Sequence, residues 1–515
     1  MIETSIKRPE SRLHTGLPHW FTPAAISAFG VLLITVIALF TKPYIGMADN
    51  GDYFRVAYSN GLYFLGPDYD SHYFDHFIKH YGILQYYNEN GTTMMSSQSL
   101  FIRIAMTVNQ LLYSGEVFDI RFQGAIFTVL YVAAVYLLVE AITWKLTRRQ
   151  GLIVAALAVF IFGDTGYTAY FNSFYSESIV LIMMMLVFAS WLLIYRRRYN
   201  DYVMLAVFAV SGILLTTSKQ QNAPVGIVLA VLGAALLFAR RDKPFRVLTA
   251  GALALLAAAG IATYVLIPKE FVNINQYHAM TRGVLKESSD PEAALKSFGI
   301  DKQYAILRET IYYEQYGPVD VDSRILEEDF YSKYGFGSIL RYYVTHPDQL
   351  TSILNVAAKD AFSIRPNAMG NYEPTAGKPD GAHTGFFTLY SLLKRTLAPK
   401  TFGFIVLWAV VILGLHAPSF LQAVKARNAR DMQRMALLLA AILIGLSGIF
   451  VSIIGAGDAD LAKHEFLFTL AFDLVSFMTA GQLIGRTVSF RMKAKPAPQV
   501  FKTPEVAESQ KGMSA

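Results

Sequence analysis

Apolar runs recur along the chain at about the length a helix needs to cross a bilayer, roughly 20 residues. The first, Phe21 to Phe40, contains no charged residue. Others cover about residues 123–143, 151–171, 177–195, 202–218, 222–239, 247–267, 402–422, 435–455 and 465–485, ten runs in all. This pattern predicts an all-α, polytopic helical membrane protein with about ten transmembrane helices. Two connectors are long. Residues 42–122 form a loop whose aromatic, amphipathic stretches, such as Tyr69 to Tyr87, are expected to lie on the membrane surface as interfacial helices. Residues 268–401 read as a separate, mostly helical domain around Asp290 to Tyr313 and Arg324 to Phe362. Asp290-Pro291 places an N-cap before a first-position proline. The expected organisation is therefore a short segment at 1–20, a membrane core at 21–267, the outer domain at 268–401, and closing spans at 402–487. A Lys-, Pro- and Ser-rich tail at 488–515 is expected to be disordered.

Charge orients this arrangement. Lys145, Arg148 and Arg149 follow the second run, and Arg196 to Arg198 follow the fourth. Arg240, Arg241, Lys243 and Arg246 follow the sixth, and Lys425, Arg427, Arg430 and Arg434 follow the eighth. The alternate connectors are poor in Lys and Arg or too long to count, so both termini are expected in the cytoplasm and both long loops outside it. The cytoplasmic membrane is the expected location. Composition agrees: 54% of the 515 residues are hydrophobic and 16% charged, against roughly 25% charged in soluble proteins. The net charge of +7 sits in the linkers, which makes it a topology signal and removes nucleic acid as a partner. The chain has no Cys, which excludes disulfides, cysteine metal sites and a thiol nucleophile. The first run is longer than a signal-peptide core and no small-residue cleavage pattern follows it, so a retained helix is expected.

Ionisable groups beside lipid are costly, which makes their positions informative. Met47 to Arg55 (MADNGDYFR) sets Asp49 and Asp52 around a turn-forming Asn50-Gly51, just where the chain leaves the first span. Such a turn can aim both carboxylates at one point, as acid–base chemistry or a metal ion requires. Gly163 to Glu177 carries Asp164, Tyr167 and Glu177 between the third and fourth runs. Ser218 to Asn222 holds Lys219 and Gln220 in a connector short enough to keep them at the surface. Gly457 to His464 contains two carboxylates, Lys463 and His464, and His278 with Arg282 follows the seventh run. Asp473, inside the last run, needs a partner on a neighbouring helix. Singly, each has a plain structural alternative in a wet turn, a helix end or a snorkelling lysine. Together they fall on one face, where cations suit a phosphate and a carboxylate suits removing a proton from a hydroxyl. Nucleotide sugars and ATP are absent outside the cell, and the chain has no Walker A or dinucleotide-type glycine motif. A transferase on that face would draw on a group activated as a lipid phosphate.

These residues resemble GT-C glycosyltransferases, and more narrowly the bacterial glycan-biosynthesis hexose transferases of the WsfD type. The resemblance is carried by ADNGDYFR (48–55), DTGYTAYFNSFYSE (164–177), TSKQQNAP (217–224), the segment 282–301, SIRPNAMGNYE (363–373) and GDADLAKHEFLF (457–468). It implies transfer of a hexose from a polyprenyl-phosphate carrier to a glycan acceptor on the non-cytoplasmic face. Asp52 or Asp49 then falls at the catalytic carboxylate of the first outer loop. Lys219, Arg282, Lys463 and His464 become candidates for the carrier phosphate, with Arg55, Asp164, Tyr167, Glu177, Gln220 and His278 as further substrate contacts. A divalent metal is left open, because oligosaccharyltransferases use one at comparable acidic motifs. The chain lacks their WWD signature, which points away from metal. A flippase of lipid-linked glycans and a glycan polymerase or ligase stand as alternatives.

The orientation is testable because the chain has no native thiol. A cysteine at Gln303 should react with an impermeant maleimide in intact cells, and one at Arg197 only after permeabilisation. The reverse result would invert the topology.

Overall fold

In the computed structural model, residues 21–66, 73–88, 96–314 and 316–493 are described. The chain is predominantly helical, and its long apolar helices are α1 (Pro23–Phe40), α2 (Arg121–Thr143), α3 (Arg148–Phe162), α4 (Glu177–Arg196), α5 (Asp201–Thr216), α6 (Gln220–Phe238), α7 (Lys243–Val265), α8 (Phe402–Lys425), α9 (Ala429–Ala456) and α10 (Phe466–Lys493). Among the described residues, eight of these are long and apolar enough to span a bilayer. A ninth arises if α3 is counted with the bent segment after it, and α5, at 16 residues, is a shorter apolar helix. All ten expected runs are thus helical, although the third is broken. Local chemistry marks the starts. Thr22 accepts from the Ala25 N–H ahead of Pro23 in α1, and Thr147 with Gln150 forms a capping box on α3. The most enclosed helix is α4, with 89% of its apolar window buried. It packs against α2, α5 and α9.

The expected uninterrupted span at 151–171 is corrected. The helix stops at Phe162, and Thr165–Asn172 continues at a bend of 48°. Asp164 causes the break by capping the second piece, its Oδ1 accepting from Gly166 N at 2.7 Å and its Oδ2 from Ser391 N at 2.8 Å. The backbone groups freed at the break are taken up inside protein, as an interrupted membrane helix requires. Asn172 is central to this: its amide donates to Ile45 O at 2.8 Å, and its carbonyl accepts from Met47 N at 3.4 Å.

The first long connector also differs from expectation. Residues 73–88 hold no helix; they contribute β2 (His80–Ile83), flanked by β1 (Leu62–Phe64) and β3 (Val117–Asp119) in an antiparallel sheet ordered β1-β2-β3. Residues 69–72 of the proposed interfacial stretch lie outside the described set. The amphipathic helix of this loop is Ser97–Leu112 instead. It buries Phe101, Ile102 and Ala105 and leaves Leu100, Ile104 and Leu111 exposed, as a helix resting on acyl chains would. The second connector carries the expected helices, including Pro291–Ser297 capped by Asp290. It also has an unforeseen one, Leu389–Leu397, which buries Lys394. The tail expected from residue 488 is helical to Lys493, and residues 494–515 lie outside the described set.

Helices α6 and α7 cross through glycines. A Cβ on Gly226 would lie 2.4 Å from Leu256 O, and one on Gly260 2.7 Å from Ala223 O, so backbone meets backbone and neither can yield. Gly251, on α7, faces open space. Gly226→Ala should therefore lower stability by about 1–3 kcal/mol through overpacking, whereas Gly251→Ala should leave it unchanged or raise it. Thermal unfolding of both variants in detergent checks this, and equal effects would dismiss the close crossing.

Candidate active site

The stretch after α1 is anchored before it turns. Ile45 N donates to Ala38 O, Gly46 N to Asn371 O, and Ala48 N to Gly370 O at 2.9 Å. The first long connector is thereby stitched to the second, and Gly46 has no room for a Cβ, which would meet Asn172 O at 2.7 Å. The chain then turns around Asp49. One Asp49 oxygen accepts from Gly51 N at 2.8 Å and Tyr53 N at 3.1 Å, with Gly51 at φ +101°. The Tyr175 hydroxyl clamps the turn by donating to Ala48 O and accepting from Asn50 N, both at 2.8 Å. This presents Asp52 at the mouth of the short helix Tyr53–Ser59.

Beyond the turn lies a cavity of about 270 Å³ whose walls come from segments far apart in the chain. The first loop supplies Asp52 and Arg55, the start of α4 supplies Glu177, and the α5–α6 connector supplies Lys219, Gln220 and Gln221. Phe271, His278 and Tyr313 close another side, and the α9–α10 connector brings Asp460, Lys463 and His464. The Lys219 connector is held from outside by the Ser97–Leu112 helix, whose Ser97 N donates to Thr217 O and whose N-cap Ser96 Oγ donates to Ser218 O. At the other end, Gly457 takes φ +58° with its Cα packed against the backbone of Arg282 and Gly283, where a Cβ would fall 2.5 Å from Gly283 N.

Charge in the cavity is tightly paired. Lys463, 4% exposed, bridges Asp52 and Asp460, with its ammonium 2.8 Å from the latter. Asn50 ties the same Asp460 to the first loop through a 2.6 Å hydrogen bond. Lys219 lies 3.2 Å from Glu177. Arg55 lies 3.4 Å from Asp52, donates to the Tyr313 hydroxyl, and stacks over Phe54 and Phe271 at 5.0 Å. Burial alone would lower the Lys463 pKa, but Asp460 and Asp52 outweigh it and hold the ammonium charged. Burial likewise works to raise Asp52, and Lys463 followed by Arg55 carries it well below the usual carboxylate range. His464 is pushed down to about 3 by burial and by Lys219 and Lys463. His278 falls to about 4 through burial and Arg282. Both imidazoles are neutral at pH 7, so His464 acts there as a hydrogen-bonding group, paired through Nδ1 with the Gln221 amide.

The two aspartates of the first motif separate cleanly. Asp52 is 45% exposed on the cavity wall. Asp49 is 2% exposed behind it, with Oδ2 unpartnered and its pKa pushed up to about 6 by burial, against its two backbone N–H donors. Of the other sequence candidates, Arg55, Glu177, Lys219, Gln220, His278, Lys463 and His464 line the same cavity as Asp52. Arg282 does not join them. It pairs with Asp458 at 2.7 Å and donates to Glu309 O, alongside Lys286 on the same carboxylate. Asp164 and Tyr167 belong to a separate buried cluster, in which Tyr167, Tyr390 and Lys394 surround Asp473. Asp473 thereby has the partner that its place in the last span demands. Sequence reading did not place Tyr175, Tyr313 or Gln221 in the site; it used Asn50 only as a turn former and Asp460 only as one of two carboxylates near Lys463. Only Asn50 and Asp460 carried a signal, through their place in acidic motifs.

A divalent ion at this acidic turn does not fit the residues present. Among the described residues no group of three or more His, Asp and Glu could hold a metal. The position between Asp52 and Asp460 is taken by the Lys463 ammonium.

Helices of bilayer length around a polar cavity make this a multi-pass helical membrane protein. The model of the YfdI N-terminal transmembrane domain matches residues 7–502, and the chain belongs to that family. No curated protein sequence matches it. Solved structures similar to it include the archaeal oligosaccharyltransferase AglB from Archaeoglobus fulgidus in complex with an inhibitory peptide and a dolichol-phosphate, at 14% identity and TM-score 0.38, covering 94% of this chain and 52% of that one. The apo form of the Archaeoglobus fulgidus oligosaccharyltransferase is another, at 11% identity and TM-score 0.41, covering 92% and 52%. The chain spans about half the length of these proteins.

Burial of Asp49 gives a signed pH dependence. Its folded pKa of about 6 lies above the usual 3.8, so its contribution to stability is present below about pH 4 and lost as pH rises through 6. The thermal midpoint of Asp49→Asn should lack that fall while the wild type shows it. Parallel curves from pH 4 to 7 would refute an ionising Asp49.

Proposed function

We propose that this protein is a membrane glycosyltransferase that moves a hexose from a polyprenyl-phosphate carrier to a cell-surface or lipid-linked glycan on the extracytoplasmic face. One observation carries the reading: Asp52, the accessible carboxylate of the first motif, shares a cavity with Lys219 and Lys463. A base for a hydroxyl and cations for a phosphate are what one displacement at an anomeric carbon needs. Asp52 takes the acceptor hydroxyl proton, because it faces the cavity while Asp49 is sealed behind it, and access decides before pKa does. In the resting site Lys463 suppresses the basicity of Asp52. An entering lipid phosphate competes for that ammonium, and as Lys463 is drawn toward the phosphate, Asp52 becomes a better base. Lys219 and Lys463 then stabilise the departing lipid phosphate. A single displacement inverts the anomeric centre, so a β-linked donor yields an α-linkage. The aromatic wall of Phe271 and Tyr313 beside Arg55 offers faces on which a sugar ring can lie. The outer domain at 268–401 supplies that wall on this reading.

Purified full-length protein should transfer hexose from a panel of synthetic polyprenyl-phosphate-hexoses, with inverted product stereochemistry. Asp52→Asn should reduce the rate about 10²–10⁴-fold while eluting as a folded species. Retention would sink the single displacement. Passage of labelled lipid across vesicles without any transfer would identify a flippase instead.

A further inference from the structure

At the opposite end of the bundle, about 28 Å from Glu177 along α4 at 1.5 Å per residue, the basic linkers are not uniform. Arg198 is accounted for structurally, 2.7 Å from Glu140 and stacked 3.6 Å from the Trp144 ring centroid. Arg430 is too, donating to Ile194 O and Tyr195 O at the end of α4. Arg196 is different. Its Nε is closed off from solvent and has no partner, and the side chain lines a cavity of about 240 Å³ between helix ends. Arg434, from the start of α9, lines the same cavity, as does Gln482 of α10, whose Oε1 is likewise buried without a partner. No carboxylate is among the lining residues. The remaining wall is largely apolar, with Ile142, Leu192, Leu438 and Met478.

Two arginine side chains lining one cavity with no carboxylate among its walls favour an anion, because a guanidinium fork matches the oxygens of a phosphate. The apolar wall suits the first methylenes of an acyl chain. A snorkelling arginine at a helix end would turn its Nε to water, which Arg196 does not do. We propose that this cavity is a second ligand site, which binds the phosphate headgroup of an anionic lipid through Arg196 and Arg434. The site is separate from the candidate active site and independent of the transferase reading.

Native mass spectrometry of full-length protein, titrated with phosphatidylglycerol and with phosphatidylcholine of the same chains, tests it. The first phosphatidylglycerol should bind about tenfold tighter, and Arg196→Gln or Arg434→Gln should each remove about that factor. Arg241→Gln, an exposed charge at the same end, should leave the preference intact. Elution profiles and thermal midpoints show that the variants are folded, and Arg196→Lys should keep part of the preference. Equal binding of both lipids, or equal loss in Arg241→Gln, would overturn the site in favour of general surface attraction. Binding of inorganic phosphate with the same variant dependence, but without lipid preference, would overturn the lipid reading and assign a free anion.

Discussion

A buried ammonium needs anions, and Lys463 finds two that the chain supplies from opposite ends. Removing a lysine charge from water costs several kcal/mol unless it is paired and hydrogen-bonded. At 4% exposure, Lys463 meets that requirement only if Asp52, from the first loop, and Asp460, from the last, come together around it. Asn50, bonded to Asp460, reinforces the same junction. The pairing therefore constrains where α1 delivers the first motif and how α9 turns into α10. It accounts for the left-handed backbone at Asp460, φ +51°, a conformation rare outside glycine and tolerated by aspartate.

The rest of the site follows from keeping that junction aligned. The broken third span is what allows it, since an unbroken helix would carry residues 164–172 past the turn. The bend instead places Asn172 where it satisfies the backbone of Ile45 and Met47. Tyr175, three residues on, becomes the clamp on Ala48 and Asn50. Asp164 pins the break to the Leu389–Leu397 helix, and Lys394 of that helix reaches Asp473 of α10 at 2.7 Å. Two polar clusters thus divide the work, one fixing the scaffold and the other facing the cavity.

Much of this was legible in sequence, for a physical reason. Hydrophobic length reports directly on a bilayer, so all ten runs proved helical, and the costly charges beside them marked where the cavity walls would be. Partner choice was not legible. Arg282 and Lys463 look alike as cations near short acidic motifs, yet Asp458 takes Arg282 while Asp460, two residues later, takes Lys463. The break at Gly163-Asp164 was hidden because Tyr167, Ala169, Tyr170 and Phe171 prolong the apolar run, and such residues fit a span and a buried protein segment alike. Their burial comes from protein, a distinction composition does not carry. The strands at 62–64, 80–83 and 117–119 were missed because they are short and aromatic, and such a run satisfies an interfacial-helix pattern equally well.

The charge balance of the cavity bears on how such a site would work. Arg55, Lys219 and Lys463 face Asp52, Asp460 and Glu177, and both histidines are neutral. The resting set is therefore close to neutral and internally satisfied, which suits a cavity beside lipid. On the proposed reading, a proton arriving on Asp52 removes one of the three negative charges at the moment when the leaving phosphate gains its own. The surplus of positive charge then exists in the transition state and not before it. Positive charge already in excess at rest would also tighten the bound substrate, and interactions made equally with substrate and transition state lower KM without raising kcat. Pairing Lys463 with the base itself ties the charge that stabilises the leaving group to the proton transfer that starts the reaction.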